Sequence, residues 1–284
     1  MAKDIKALRK RIKSFDSTLH LTGAMGLVAS SKMRKATDAM LEGRKYLNVI
    51  NGIIKDLSKC AECKRSVFFT DASEREIDER TKLIVIAGDR GLCGGYNANV
   101  FRLVRDMEGS PDIIPIGKRA FDRYTNDELD DFDPDTIRDY DSSEHYPFDK
   151  AMELAGTLVS EFKEGKISKV GIVYNKYISI LTQEPQIKWI LPLEKPSENE
   201  HDDTVYEPDP MTLLDDVLPQ YVAGVIYSLV KESFACEVAA RRMAMDSASK
   251  NANEMIEDLT LEYNRVRQGK ITQEITEIVA GAGS

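Results

Sequence analysis

The sequence predicts an α/β fold with a long coiled coil, in which two antiparallel terminal helices flank an inserted α/β domain. A hydrophobic heptad near the N-terminus, a second helical periodicity near the C-terminus and short apolar runs between them support this fold class. The predicted boundaries are 1–58 for the N-terminal helix, 80–195 for the α/β domain and 210–284 for the C-terminal helix.

The N-terminal helix is predicted from apolar residues that recur in alternating steps of three and four. Thirteen of these sixteen positions are apolar, and no proline interrupts them. The positions are Ile5, Leu8, Ile12, Phe15, Leu19, Thr22, Gly26, Ala29, Met33, Ala36, Met40, Gly43, Leu47, Ile50, Ile54 and Leu57. Each of the four glycines in this segment costs about 1 kcal/mol relative to alanine, so packing against a partner must compensate.

The inserted domain is predicted from short apolar runs that end in or near turn residues, as buried parallel strands do. These runs cover 83–88, 113–117 and 170–174, and a further strand is predicted within 178–191. Helical patterns lie at 95–107, 118–126 and 148–164.

The C-terminal helix is predicted to begin with Asp209 as its cap and Pro210 as its first residue. Pro219 is the one later proline, and we expect a kink or a restart there. Apolar residues follow at helical spacing: Leu214, Leu218, Tyr221, Val225, Leu229, Met245, Ala248, Ala252, Met255, Leu259 and Val266. Small residues between 235 and 252 allow close approach of a second helix, so the two terminal segments should pack together as a rod.

The difference in helix length predicts an unpartnered tip. An antiparallel pair of about 57 and 75 residues leaves about 18 residues of the longer helix overhanging, or about 27 Å. This overhang, 267–284, carries Ile271, Ile275, Ile278 and Val279. Because a lone helix of this length is marginal in water, we expect a sleeve from another protein.

Charge and hydropathy limit the class of protein. The net charge of −9 argues against a general nucleic-acid binder, although residues 1–35 hold nine basic against two acidic side chains and residues 126–149 hold ten acidic against one basic. The basic end could contact an acidic protein surface or nucleic acid, or be a solvated helix face. The longest apolar run without a charge, 221–230, is about half of a membrane span, and no secretory signal is visible, so a soluble cytosolic chain is expected.

Two motifs are candidates for chemistry. The segment DRGLCGGYN (89–97) follows a strand and opens a helix, but lacks the spacing of nucleotide-binding glycine loops, so we interpret it as a tight turn with Asp89 near the helix cap. Cys60 and Cys63 form half of a zinc or redox motif with no visible second half, and we interpret them as inert thiols. No nucleophile with a base, metal site or cofactor site is predicted.

Four segments resemble the gamma subunit of F-type ATP synthases, in the order that the family has them. They are VASSKMRKA (28–36), DRGLCGGYN (89–97), AARRMAMDSASKNANEMI (239–256) and the tail YNRVRQGKITQEITEIVAGA (263–282). The resemblance covers the whole chain. It implies a Rossmann-like inserted domain that holds no nucleotide, and terminal helices that form a rotary shaft.

The resemblance also implies a non-catalytic rotor that couples transmembrane ion flow to ATP synthesis or hydrolysis inside a hexamer of alpha and beta subunits. Further implied partners are the epsilon subunit and the membrane c-subunit ring, and the implied location is peripheral, on the cytoplasmic side of the cell membrane. The implied partner contacts are Met25, Lys32, Arg34, Lys35, Arg267, Gln268, Ile275, Ile278 and Val279. Relatives commonly carry lysines where this chain has Gly23 and Gly26.

Two other functions remain open from the residues alone. An α/β nucleotide-sensing protein or enzyme with coiled-coil arms would rely on Gly91, Gly94 and Gly95, and would bind nucleotide as an isolated chain. A structural coiled-coil protein that uses its basic arm on nucleic acid would bind DNA with a steep salt dependence.

Overall fold

The computed structural model describes residues 5–70, 74, 77, 80–125, 140–195 and 206–282. Its elements are α1 (Ile5–Lys59), β1 (Thr81–Ile86), α2 (Tyr96–Arg105), β2 (Asp112–Ile116), α3 (Lys118–Tyr124), α4 (Phe148–Lys163), β3 (Lys169–Tyr177), β4 (Gln183–Leu191) and α5 (Pro210–Ala282), with two short 3₁₀ turns at Cys63–Arg65 and Val67–Phe69. This order of elements confirms the predicted fold class.

The chain divides into two compact units. The helical-pair unit combines Met1–Ser31 with Arg241–Ser284, and the α/β unit is Lys32–Ala240. Both long helices contribute residues to both units, because α1 and α5 each cross a unit boundary.

The α/β unit is built on a four-stranded sheet in the order β2-β1-β3-β4. As predicted, β1 pairs in parallel with β2 and with β3. The fourth strand pairs antiparallel with β3 and begins at Gln183, because residues 179–182 form the hairpin turn that reverses the chain. Of the short apolar runs, those in β1 and β3 are central strands with mostly buried residues, whereas the run in β2 lies at the edge of the sheet and is mostly half-buried.

Helices cover both faces of this sheet. Side chains alternate along β1, so Ile84 and Ile86 face the core formed with α1, α4 and α5, whereas Leu83 and Val85 face the core formed with α2 and α3. The α/β unit therefore has helices on both sides of one sheet, and its larger core includes the long helices.

The helical-pair unit is antiparallel. The hydroxyls of Thr22 and Ser249 are 2.7 Å apart, and a Cβ built on Gly26 would lie 3.6 Å from Cβ of Met245. Four residues forward on α1 thus correspond to four residues backward on α5. Counting from Thr22 back to the start of α1 at Ile5 gives Val266 as its counterpart on α5.

The predicted apolar stripe of α1 is confirmed, since all sixteen heptad positions are buried or half-buried. On α5 the prediction for Met255 is wrong, because its side chain is 48% exposed. Half-buried Ile256 takes the inward position, four residues after Ala252 and three before Leu259. Steps of three and of four residues both keep side chains on one helix face. The sequence pattern predicted a step of three followed by a step of four after Ala252, whereas the structure has a step of four followed by a step of three.

The N-terminus of α5 has the predicted cap. Oδ1 of Asp209 accepts hydrogen bonds from the backbone N–H groups of Met211 (3.1 Å) and Thr212 (3.0 Å), and the helix begins at Pro210. Of the kink or restart expected at Pro219, the restart is wrong, since α5 continues through this residue. Its neighbour Leu218 is fully buried in the larger core, and this packing offsets the lost backbone hydrogen bond.

Among the described residues, α5 is the one helix long and apolar enough to cross a membrane by length and composition. Its most apolar 18-residue window has a mean hydropathy of 1.2, and 61% of that window is buried inside the protein. Such burial is typical of a core helix.

Candidate partner-binding surfaces

The C-terminal tip of α5 extends past the counterpart of the first α1 residue. Every described residue from 267 to 282 is exposed. The side chains of Ile275, Ile278 and Val279 are 56%, 71% and 67% exposed. With Ile271 they follow steps of four, three and one, so they form a stripe along one helix face. We call these four residues the tip stripe.

Polar residues of the tip bond within their own helix. The hydroxyl of Thr272 donates to the carbonyl oxygen of Gln268 at 3.0 Å, and Nε2 of Gln273 donates to Oε1 of Glu277 at 2.9 Å. The predicted contact residues Arg267 and Gln268 are exposed in the first turn of this segment. One turn earlier, Arg9 donates to the phenol oxygen of Tyr263 at 2.9 Å, and this bond lowers the pKa of Tyr263.

The basic stretch of α1 splits into two kinds of residue. Arg34 and Lys35 are exposed. Lys32 instead forms an ion pair with Glu144, which precedes α4 within the α/β unit. The charge of Lys32 is thus balanced inside the chain, which sequence reasoning missed because the partner lies 112 residues away.

Met25 is half-buried in the helical-pair unit, and three neighbouring residues that sequence reasoning missed are more exposed. Leu21, Leu27 and Val28 are 61%, 75% and 58% exposed. Leu21 and Val28 are seven residues apart, with Met25 four after the first and three before the second, so these three share one face. Apolar residues off the heptad were the signal that could have identified this second apolar surface.

The glycine-containing loop packs against α5. A Cβ built on Gly88 would lie 2.7 Å from Cδ of Glu237, so the glycine admits a buried carboxylate. The phenol oxygen of Tyr96 lies 2.7 Å from the hydroxyl of Ser233 and donates to its carbonyl at 2.9 Å. The side chains of Glu237 and Tyr96 fill the space between this loop and α5, so the geometry fits a structural turn better than a phosphate cradle.

Asp89 does not cap the helix that follows its loop, and that prediction is wrong. The cap position of α2 is Gly95, which makes no side-chain capping bond. The Asp89 carboxylate instead accepts bonds from the backbone N–H of Lys118 (3.1 Å) and of Ser143 (3.2 Å), and from the hydroxyl of Ser142 (2.7 Å). It therefore joins the loop after β1 to the segment before α4.

The CxxC thiols lie in unreactive surroundings. Cys63 is buried, its thiol donates to the carbonyl oxygen of Pro210 at 3.4 Å, and burial raises the pKa of Cys63 to about 12. Cys60 is half-buried. The part of the chain that the structure describes contains no group of three His, Cys, Asp or Glu side chains placed to hold a metal. A protonated, buried thiol is a poor nucleophile and metal ligand.

Comparison with known proteins identifies the family. A family model described as ATP synthase matches residues 4–284. The ATP synthase gamma chain of Ruminococcus albus is 41% identical over 287 residues, which cover 97% of this chain and 96% of the relative. The sodium-ion-specific ATP synthase gamma chain of Acetobacterium woodii is 38% identical, with 99% of both chains covered. This chain belongs to the ATP synthase gamma chain family.

Solved structures support the fold. A chain of the Euglena gracilis mitochondrial ATP synthase, in its OSCP/F1/c-ring structure, matches with a TM-score of 0.64 at 19% identity, covering 98% of this chain and 93% of that one. A chain of the Tetrahymena thermophila central stalk and c-ring matches with a TM-score of 0.57 at 21% identity, covering 81% and 99%. Family membership does not favour the nucleotide-sensing alternative.

Gly23 and Gly26 lie on α1 within the helical-pair unit. A Cβ on Gly23 would meet nothing within 4 Å, so a longer side chain fits there without displacing a neighbour. Gly26 is buried, and its Cβ would make ordinary contact with Met245. The individual partner contacts of the nine predicted residues stay predictions.

Proposed function

We propose that this chain is the central-stalk rotor of an ATP synthase and couples transmembrane ion flow to ATP synthesis or hydrolysis. In this proposal it turns inside a hexamer of alternating alpha and beta subunits. The observation that carries the proposal is the tip of α5, where sixteen described residues are exposed and the tip stripe has no cover within the described chain. An amphipathic helix with such a face needs an apolar sleeve.

The chain itself does no bond chemistry in this proposal. Each orientation of the rotor favours a different set of beta-subunit conformations, because it binds those conformations with different free energies. A rotor with equal affinity for all of them would shift no population, however tightly it bound. Asymmetric surface contacts are therefore the functional requirement on this chain.

The predicted contact residues fall into an apolar group and a polar group. Ile275, Ile278 and Val279 form an apolar bearing at the end of α5, and Arg267 and Gln268 supply polar contacts just below it. Met25 adds a second apolar contact on α1.

Charge pairs with the beta subunits come from the basic stretch of α1. Arg34 and Lys35 face acidic beta-subunit surface. Lys32 reaches that surface only when its ion pair with Glu144 opens, so its part in such contacts is smaller.

The remaining partners are assigned to the α/β unit. We propose that it faces the epsilon subunit and the membrane c-subunit ring, and that the chain is peripheral on the cytoplasmic side of the membrane. No nucleic-acid partner is proposed.

Reconstitution tests the proposal. The isolated chain should show no ATPase activity, and its addition to alpha and beta subunits should give a complex with strong turnover. Truncation after Val266 should leave the chain folded, because every described residue it removes is exposed, but it should impair coupling in the complex. Full coupling by the truncated chain, or ATPase activity of the isolated chain, would contradict the proposal.

A further inference from the structure

Three elements of the α/β unit meet at one ion pair. Arg44 lies on α1, Glu232 on α5, and Tyr177 is the last residue of β3. Nη2 of Arg44 donates to Oε1 of Glu232 at 2.7 Å, and Nε of Arg44 donates to Oε2 at 3.4 Å. The guanidinium and the carboxylate therefore face each other side by side.

The same two side chains also hold the backbone of β3. Nη2 of Arg44 donates to the carbonyl oxygen of Tyr177 at 3.0 Å, and the backbone N–H of Tyr177 donates to Oε1 of Glu232 at 2.9 Å. Both backbone polar groups at the end of the strand are thus fixed by the two long helices. We call these three residues the β3 clamp.

The burial of Glu232 shows that the β3 clamp is more than a surface ion pair. Glu232 is 6% exposed, and its carboxylate receives three hydrogen bonds from the other members. Replacing a buried ion pair by apolar residues often leaves stability unchanged, so net stability is a weak reason for such a pair. Fixed geometry explains the buried pair better. Both carboxylate oxygens of Glu232 accept hydrogen bonds, and the end of β3 cannot move without breaking bonds to charged groups.

We propose that Arg44 and Glu232 are positioning residues that carry torque between the two long helices and the sheet. This inference rests on the proposed rotor function. Torque applied to α1 and α5 reaches the α/β unit only through contacts that resist sliding. Apolar side chains pack without directional bonds, whereas the β3 clamp ties the end of a central strand to both helices by bonds with fixed directions.

The chain supplies a matched control. Lys163 on α4 pairs with Asp215 on α5 at 2.7 Å, so this pair also joins the α/β layer to a long helix. Its side chains are 55% and 42% exposed and hold no strand backbone. Exposed pairs of this kind contribute little, so Lys163→Met should change neither readout described below.

The first experiment measures whether the clamp holds the strand. Amide hydrogen exchange of Tyr177 in the full chain should become about tenfold faster or more in Arg44→Met, which leaves the Glu232 carboxylate without its cation. Glu232→Gln keeps an acceptor for the amide but loses the charge, so its exchange should rise less. Unchanged exchange in both variants would overturn the clamp.

The second experiment measures torque in the reconstituted complex. A bead attached through Glu108→Cys, an exposed site in the α/β unit, reports angular fluctuation of the stalled rotor while the hexamer is fixed to a surface. Arg44→Met should increase the angular variance several-fold, and Arg44→Lys should give an intermediate value, because one ammonium cannot reproduce the forked contacts.

The outcomes separate the two proposals. A lower melting temperature with unchanged angular variance would reduce the clamp to a stabilising ion pair and overturn the torque inference. A complex with the unsubstituted chain that does not turn with ATP would overturn the rotor function, whereas the exchange rate of Tyr177 would still report on the clamp.

Discussion

The tip stripe gives the most direct quantitative prediction for binding to the hexamer. Replacing Ile275, Ile278 and Val279 together by alanine removes apolar carbons and keeps a strong helix former at each position. Each Ile→Ala change removes three carbons and the Val→Ala change removes two, and each carbon contributes about 0.8 kcal/mol when it is fully buried. Because 56–71% of each residue is exposed in the free chain, burial in a partner contributes about 1 to 2 kcal/mol at each of the three positions. The total is about 4 kcal/mol, an upper limit that corresponds to an increase in Kd of about a thousandfold.

Binding of the labelled chain to a hexamer of alpha and beta subunits, by titration at fixed salt, measures this change. Leu181→Ala is the matched control, because Leu181 is 73% exposed on the β3–β4 turn of the α/β unit. The melting temperature of the free triple variant should stay at the unsubstituted value, since the replaced side chains pack on nothing described. An unchanged Kd, or an equal loss in Leu181→Ala, would refute the bearing role of the tip stripe.

Three further predictions concern the free chain. Gly23→Ala should raise the free energy of unfolding in urea by up to about 1 kcal/mol, because the new Cβ would meet nothing within 4 Å. Gly117→Ala should lower the free energy of unfolding by more than about 1 kcal/mol, because φ of Gly117 is 90° and the new Cβ would lie 1.9 Å from the carbonyl oxygen of Ala87. Alkylation at about pH 8, followed by mass spectrometry, should modify Cys63 far more slowly than its half-buried CxxC partner, because a pKa of about 12 leaves about one thiol in ten thousand ionised. Asp209→Ala should lower the melting temperature near neutral pH and have no effect in strong acid. The reason is that hydrogen bonds from the backbone and hydroxyl of Thr212 lower the pKa of Asp209 in the folded chain. The stabilisation by this carboxylate is therefore present above the usual aspartate pKa and is lost as the pH falls through the pKa of the folded chain.

The elements that could be predicted from sequence are those set by local periodicity or local capping. The α1 stripe from Ile5 to Leu57 depends on a repeat that any window of the segment displays, and the Asp209 cap depends on residues within three positions. The overhang followed from helix lengths alone, and the exposed residues 267–282 agree with it.

Contacts between distant segments could not be predicted in the same way. The carboxylate of Asp89 bonds to residues about 29 to 54 positions later, and Lys32 pairs across 112 positions, so no local pattern marks either contact. The sequence pattern also could not predict the direction of β4, because the apolar residues of a strand have the same spacing in parallel and antiparallel pairing. The β3 clamp joins three distant segments, and its two charged residues, Arg44 and Glu232, look individually like surface charges.

The central claim is that this chain turns inside the hexamer, and observation of single complexes tests it most directly. A bead attached through Glu108→Cys to a surface-fixed complex of this chain with alpha and beta subunits should rotate in one direction when ATP is added and stop when ATP is removed. A bead that stays still while the same complexes hydrolyse ATP would contradict the account.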